Sequence, residues 1–391
     1  VPTTGAGPSC SILGNALERG YGITPISDHF LSLISLEVVL ADGSIYESPF
    51  KAFQAYEVSA LSKWGIGPYI DGIFTQSNFG IVTKITLCLA KKKECIELFM
   101  FPIYETENFK KTIPVIRALK QSLGGIIGGI NLMNDERMEA MFGKDNVKSS
   151  PTWTGLGALY GPPGLVKEAK KIVSEKLKRV GITPRFINQK RIDLIKKIEQ
   201  RCPQFVRNYF SNNIKLLNAA QKFYQVLNGK PSKVALPLAY LKNVVKPDFN
   251  CDVNPALDGC GLIWFSPLLP IKAETVSLYI KQVYEICKRN DIAPLITLTT
   301  VSENCFNSTI PILFQKEEPD EKVRAKKCYK EFLSMGENMG IIPYRINIDS
   351  MGLFEENQHL TSVQLIGKIK QILDPNNILS PGRYNIVNHI D

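Results

Sequence analysis

Histidine is scarce in this chain, with 3 among 391 residues. So small a number argues against a multi-histidine metal centre. The 9 cysteines are odd in number, with no C-x-x-C pair and none at metal spacing with a histidine. That pattern speaks against a disulfide framework or a structural zinc site, and a reducing cytoplasm fits it best. Long apolar runs are missing too. A membrane span needs roughly 18 uninterrupted apolar residues, and the nearest approach, LSLISLEVVLA at 31–41, is broken by Glu37. The N-terminus has neither the basic start nor the apolar run of a signal peptide. The expectation is a soluble chain with no membrane partner.

What the chain does have is length for two or three domains and a net charge of +10. Its lysines alternate with glutamates in stretches such as KEAKKIVSEKLKR (167–179) and RIDLIKKIEQR (191–201). These read as solvated faces of amphipathic helices. No nucleic-acid-binding motif accompanies the charge, so no nucleic acid is expected as a partner. A small anionic substrate is compatible with it.

The texture changes twice along the chain. Residues 1–94 read as short strands and tight turns, including a hairpin over 33–48 with a type I′ turn at Asp42-Gly43. From 95 onward β-rich runs (CIELFMFPI, GGIIGGINLM, TWTGLGALYG, GLIWFSPLL, PLITLTTV) alternate with long amphipathic helices. This implies an α+β unit whose sheet is covered by helices on one face. Residues 203–258 read as a loop-rich insertion. A strand over 340–351, a helix over 360–373 and a turn-rich tail over 374–386 close the chain, with Asp374-Pro375 ending the helix.

Glycine punctuates two segments. VPTTGAGPSCSILGNALERGYG places Gly5, Gly7, Gly14 and Gly20 among small residues, and WGIGPYIDGIFTQSNFGIVTKI places Gly80 just before a strand. Such backbone can lie close to a diphosphate and offer N–H groups to it, though a surface loop would use the same residues. The first segment is not a dinucleotide fingerprint, because the third glycine is missing and no strand precedes it. On the last predicted strand, Arg345 follows Tyr344. A guanidinium there could be a structural ion pair, the usual fate of an arginine. At the face of a flavin it would instead stabilise negative charge developing on reduction, and the phenol beside it could orient a substrate oxygen.

Together these strings resemble the vanillyl-alcohol oxidase / p-cresol methylhydroxylase family of FAD-dependent oxidoreductases. The resemblance runs through GNALERGYGITP–SDHF, LEVVLADGSIY, GPYIDGIFTQSNFGIVTKI, GLIWFSP, Tyr344-Arg345 and LDPNNILSPGR, in the family's order. It implies the second half of a PCMH-type FAD-binding domain over 1–94, and a cap with a mainly antiparallel sheet over 95–340. Residues 341–391 would return to the FAD-binding domain. The family's first FAD subdomain has no counterpart here, so the sequence reads as the second part of a family member. It would be either a truncated or cleaved piece or one product of a split gene whose partner is a separate N-terminal chain; self-association is left open. FAD would lie along Pro2, Gly5, Gly7, Gly14, Asn15 and Gly20. The backbone of Gly80, Ile81 and Val82 would hold it, and Arg383 would be a second nearby cation. Tyr344 and Arg345 would be the catalytic pair.

Departures from the family pattern limit what carries over. Thr3 or Thr4 stands where vanillyl-alcohol oxidases have an aspartate near the flavin, and Ile23 stands where the family has a phenol-anchoring tyrosine. The cap positions that carry the covalent flavin link in many members fall near Asn307 and Ser308, which form no such bond. FAD held non-covalently is therefore expected, and Cys305 is read as a structural thiol. His29 in SDHF is read as a hydrogen-bonded structural residue, with Asp28 fixing its tautomer. The functional expectation is oxidation of an alcohol or hydroxy compound by hydride transfer to flavin. The alternatives are a 2-hydroxy-acid dehydrogenase of the same superfamily, distinguished by basic cap side chains that converge on Arg345, and a non-catalytic scaffold.

Overall fold

The computed structural model describes residues 7–143, 151–201, 221, 223–249, 251–352 and 360–385. Pro2 and Gly5 lie outside them. Two antiparallel sheets organise the described chain. The smaller has three strands in the order β2-β1-β3, with β1 Leu33–Val39, β2 Ile45–Glu47 and β3 Ile81–Leu87. Leu33, Leu36 and Val38 of β1 pack with Phe74 and Phe79, and Ile369 and Leu373 of the Thr361–Leu373 helix close over them.

The hairpin at 33–48 forms, but its turn is not type I′. Leu40 and Ser44 pair at 2.9 Å across a loop of three residues, and Gly43 takes the left-handed conformation at φ 84°. Asp42 accepts the Ser44 N–H at 2.9 Å instead of adopting positive φ itself. Beneath the hairpin the fully buried Asp71 accepts from Tyr46 at 2.6 Å and from Ser48 at 2.7 Å.

The larger sheet runs β7-β4-β6-β5-β10-β11-β8, with β9 also on β11. Its strands are β4 Cys95–Ile103, β5 Asn131–Asn134, β6 Trp153–Gly161, β7 Arg185–Ile187, β8 Cys260–Phe265, β9 Leu268–Pro270, β10 Thr297–Thr300 and β11 Cys305–Gln315. The helices Thr106–Ser122, Pro163–Lys178, Ala273–Arg289 and Pro319–Met339 cover one face. Each has a stripe of apolar residues at helical spacing. In Ala273–Arg289 the stripe is Val276, Tyr279, Val283 and Ile286. Phe99, Phe101, Phe306 and Phe332 are fully buried in the resulting core. Burying each such side chain is worth about 1.5–3 kcal/mol relative to leaving it exposed.

Two sequence expectations change here. GLIWFSPLL is not one strand, since Pro267 divides β8 from β9. The strand expected over 340–351 is also absent. Gly340 ends the Pro319–Met339 helix in the left-handed conformation, Pro343 makes a lone bridge to Pro267, and a short 3-10 turn follows. Proline has no N–H to extend a ladder, so that pairing stops at one residue. No helix among the described residues is long and apolar enough to cross a membrane.

Candidate active site

The register of β5, β10 and β11 decides which side chains face which way. Thr297 stands opposite both Met133 and Thr309, Thr299 stands opposite both Asn131 and Asn307, and Pro311 stands opposite Trp264. Paired residues share a face, and alternate residues along a strand share it too. Leu132, Leu298, Phe306 and Ile310 therefore point into the helix-covered core. Asn131, Thr297, Thr299, Asn307 and Thr309 line the opposite face.

That second face is polar and nevertheless covered. Asn307 is fully buried, and Asn131, Thr297 and Thr299 are buried as well. Thr299 donates to Asn131 at 2.6 Å, and Thr309 to Asn307 at 2.9 Å. The Thr297 hydroxyl has no partner among the described residues. An antiparallel sheet with one face on a core ordinarily offers the other to water. Here that face meets segments from elsewhere in the chain.

Those segments bring in the aromatic and cationic groups. Tyr21 lies beside the Thr309 hydroxyl and close to Cys305, and its ring centroid is 5.6 Å from that of Tyr344. Tyr344 is held through its backbone. Its N–H donates to Ser266 at 3.4 Å, and its carbonyl accepts from the Gln76 side chain at 3.1 Å. The Arg345 guanidinium sits 5.5 Å from the Tyr344 ring centre. Arg345 is exposed and has no salt bridge among the described residues. Burial raises the Tyr21 phenol far above its ordinary pKa, and it raises Tyr344 in spite of the Arg345 charge. Both tyrosines are neutral hydrogen-bond donors across the physiological range.

The glycine-rich stretches are positioned by close packing. Gly7 is left-handed at φ 92° and meets Leu236. A side chain at Gly20 would overlap Asn15, whose amide already donates to the Cys10 sulfur at 3.0 Å. Ser11 caps the short Ile12–Leu17 helix, its hydroxyl accepting the Gly14 N–H at 2.9 Å. Gly80 lies so near Val38 that a Cβ would strike it, which sets the start of β3 and hence Ile81 and Val82. Ile81 is 59% exposed, apolar surface with no cover among the described residues. Gly129 donates to the Ile23 carbonyl at 2.8 Å, tying the 21–27 loop to the start of β5 in the middle of the larger sheet.

Other assigned residues behave differently. Arg383 pairs with Glu18, which also accepts from Tyr384 at 2.5 Å. Its charge is committed to fixing the tail. Asp28 accepts from the Leu31 N–H at 2.8 Å and makes no bond to His29. The buried His29 ring has no hydrogen-bond partner among the described residues, and burial lowers its pKa to about 4. Ser308 faces the core, where it accepts from Tyr279 at 2.9 Å, while Asn307 donates to Ser266 at 3.2 Å.

Sequence reasoning passed over three features. Tyr21 hid between two glycines. The polar alternation at 305, 307 and 309 was visible but lay in a segment read as a single strand. Arg137 looks like surface charge in NDERMEAMF, yet it is only 7% exposed, and two of its guanidinium nitrogens lack partners among the described residues.

No family model matches the chain. It is 28% identical over 404 residues to the 1'-carboxy-chondrochloren decarboxylase of Chondromyces crocatus, covering 98% of this chain and 73% of that one. Against the 4-cresol dehydrogenase [hydroxylating] flavoprotein subunit of Pseudomonas putida it is 25% identical over 404 residues, covering 98% and 69%. The crystal structure of p-cresol methylhydroxylase with substrate bound superposes with a TM-score of 0.79 at 22% identity, over 98% of this chain and 70% of that one. The fold is that of the PCMH-type flavoproteins. The two relatives are a decarboxylase and the flavoprotein subunit of a dehydrogenase, and the likeness to them over nearly the whole chain supports an enzyme of the flavoprotein oxidase/dehydrogenase type. On this fold the polar sheet face, Tyr21, Tyr344 and Arg345 together make up the candidate active site.

Proposed function

We propose that the chain is the substrate-facing part of an FAD-dependent oxidoreductase that oxidises an alcohol or hydroxy compound. The observation that carries this reading is Arg345, a cation with no salt bridge among the described residues, set against two neutral phenols at the foot of a buried polar sheet face. Residues 7–94 and 341–385 would form the flavin side, and 95–340 the cap.

What suits a flavin is the outer edge of β3, which is unpaired among the described residues beside Gly80, Ile81 and Val82. At Gly7, Gly14 and Gly20 the space a side chain would take is filled by Leu236, Ser11 and Asn15. When bound, FAD supplies the acceptor for a hydride and its two electrons. Arg345, exposed in the free chain, would hold the negative charge that results once the bound groups shut water out. Tyr344 and Tyr21 would fix the substrate oxygen by donating to it. The hydride would leave the carbon bearing the hydroxyl, the hydroxyl proton would pass to solvent, and the carbon would become a carbonyl. Neither Asn307 nor Ser308 can link covalently, which supports a flavin held without a bond to the protein. Acid precipitation should then leave all yellow colour in the supernatant, and a coloured pellet would refute this.

The test of Arg345 is its replacement by alanine in the flavin-loaded protein. Losing one such donor costs about 10²–10³ in rate. Flavin reduction should slow by that factor, with FAD affinity changed far less. Reduction at the wild-type rate would remove the role assigned to Arg345.

A further inference from the structure

Arg137 lies on the Asp135–Phe142 helix, which begins where β5 ends. Its guanidinium reaches to 5.9 Å from the ring of Trp264, on β8. Between β5 and β8 in the sheet lie β10 and β11. Trp264 stands opposite Pro311, on the same face as Thr309 and Thr297. Arg137 therefore spans the polar face of the central strands. It is 7% exposed, its Nε and Nη1 have no partner among the described residues, and it makes no salt bridge there. The Thr297 hydroxyl on that face is unpartnered as well. The adjacent acid Glu136 is turned the other way, accepting from Asn134 at 2.7 Å and from Tyr284 at 3.0 Å.

A buried guanidinium without a counter-charge is a costly arrangement. It is expected where a ligand brings the charge, and a planar fork of donors matches a carboxylate. We propose that Arg137 is the carboxylate-binding residue of this site and that the substrate is an organic acid. The proposal rests on reading the polar face as the substrate face. From Pro311 to Thr309 is two strand positions, about 7 Å, and Thr309 adjoins Tyr21. An acid held by Arg137 and Thr297 would thus present its hydroxyl-bearing carbon near Tyr21 and Tyr344, with one small ring or a short chain between. Trp264 and Met133 on the same face suit an aromatic frame. Trp264 is 40% exposed, so Arg137 lies just inside the rim.

The test is isothermal titration calorimetry of the full chain with 4-(hydroxymethyl)benzoate and benzoate, each against its carboxamide. The acids should bind and the neutral amides should not. Arg137→Met should weaken the acids at least about tenfold, the usual cost of a lost charge-assisted bond. Its ligand-free melting temperature should not fall, because a buried cation with no counter-charge among the described residues has been removed. Should Arg137→Met fail to fold, Arg137→Lys gives the answer, since it should bind acids more weakly than wild type without losing them. Equal binding of acid and amide, no binding of either acid, or wild-type affinity in the arginine variants would overturn the proposal. Calorimetry needs no flavin signal, so the two readings fail separately. Flavin bound with no acid binding sinks the carboxylate site alone, whereas acid binding by a protein that never takes up flavin sinks the oxidoreductase reading.

Discussion

Replacing Lys370 with methionine should destabilise the chain far more than an exposed lysine would suggest. Lys370 and Asp374 are one helical turn apart, both fully buried, with their charged atoms 2.5 Å apart. The ammonium also donates to the carbonyls of Asn78 at 2.9 Å and Leu379 at 3.0 Å. The carboxylate accepts from the N–H groups of Ile378 at 3.0 Å and Leu379 at 2.9 Å. One buried pair thus fastens the helix, the tail after Pro375 and the turn before β3. Removing the cation strands a buried carboxylate, which costs about 3–5 kcal/mol. The control is Lys84→Met, which breaks the Lys84–Glu37 pair at 2.9 Å where the lysine is 71% exposed. Such pairs contribute about 0–1 kcal/mol. Urea unfolding, with hydrogen exchange at the Ile378 and Leu379 amides, separates the two. The Lys370→Met/Asp374→Asn double variant should cost less than the sum of its parts, since the charges leave together. If Lys370→Met and Lys84→Met shift the midpoint equally, the staple contributes nothing special and the reasoning fails.

The remaining predictions concern pH and packing. Burial would raise the Asp374 carboxyl, but its bonds to Lys370, Leu379 and Ile378 hold it below the ordinary value. The stability it adds is therefore present above about pH 4 and is lost as pH falls through the folded pKa. His29 and Glu136 act in opposite senses. Burial lowers His29 to about 4, so the unfolded chain binds the extra proton and stability falls as pH drops from about 6.5 toward 4. Burial raises Glu136 to about 7, so the folded chain binds the proton and stability falls as pH rises from about 4.5 to 7. His29→Leu should tilt the stability–pH curve toward acid and Glu136→Gln toward neutrality. Parallel curves in urea titrations at pH 4.5, 5.5 and 6.5 would count against both assignments. A Cβ at Gly128 would sit 2.5 Å from the Ile23 carbonyl oxygen. Gly128→Ala should therefore cost about 1–3 kcal/mol and weaken FAD and substrate together. Retention of both affinities would show that the 21–27 loop is not seated through this contact.

Much of the scaffold was legible because it rests on local periodicity. β4 and the helices at 106–122, 163–178, 273–289 and 319–339 follow the apolar pattern of their residues almost to the end. The misreadings came where local pattern and tertiary geometry part. Pro343 sits in an extended-looking run, yet with no N–H to donate it supports only one bridge. Arg383 and Arg345 look alike in sequence; one meets Glu18 and the other has no salt bridge among the described residues, a difference set by chain folding over hundreds of residues. Arg137 and Lys370 resemble solvated helix charges, and only their depth in the fold reveals them. The polar face was half visible as alternation in CFNSTIPILF, but alternation alone does not say whether the polar side meets water or another part of the chain.

β11 is both a wall of the site and part of the floor of the core, with Asn307 and Thr309 on one side and Phe306, Ile310 and Ile312 on the other. Substitutions at its odd positions can retune what the site accepts while leaving the helix packing intact, and those at its even positions do the reverse. The two sets stay independent only while the strand keeps its phase. One residue added to the 301–304 turn that carried through the strand would put Phe306 toward the tyrosines and Asn307 among the helices. Evolution of substrate choice along this strand should therefore proceed by replacement, with length changes confined to segments outside the ladder.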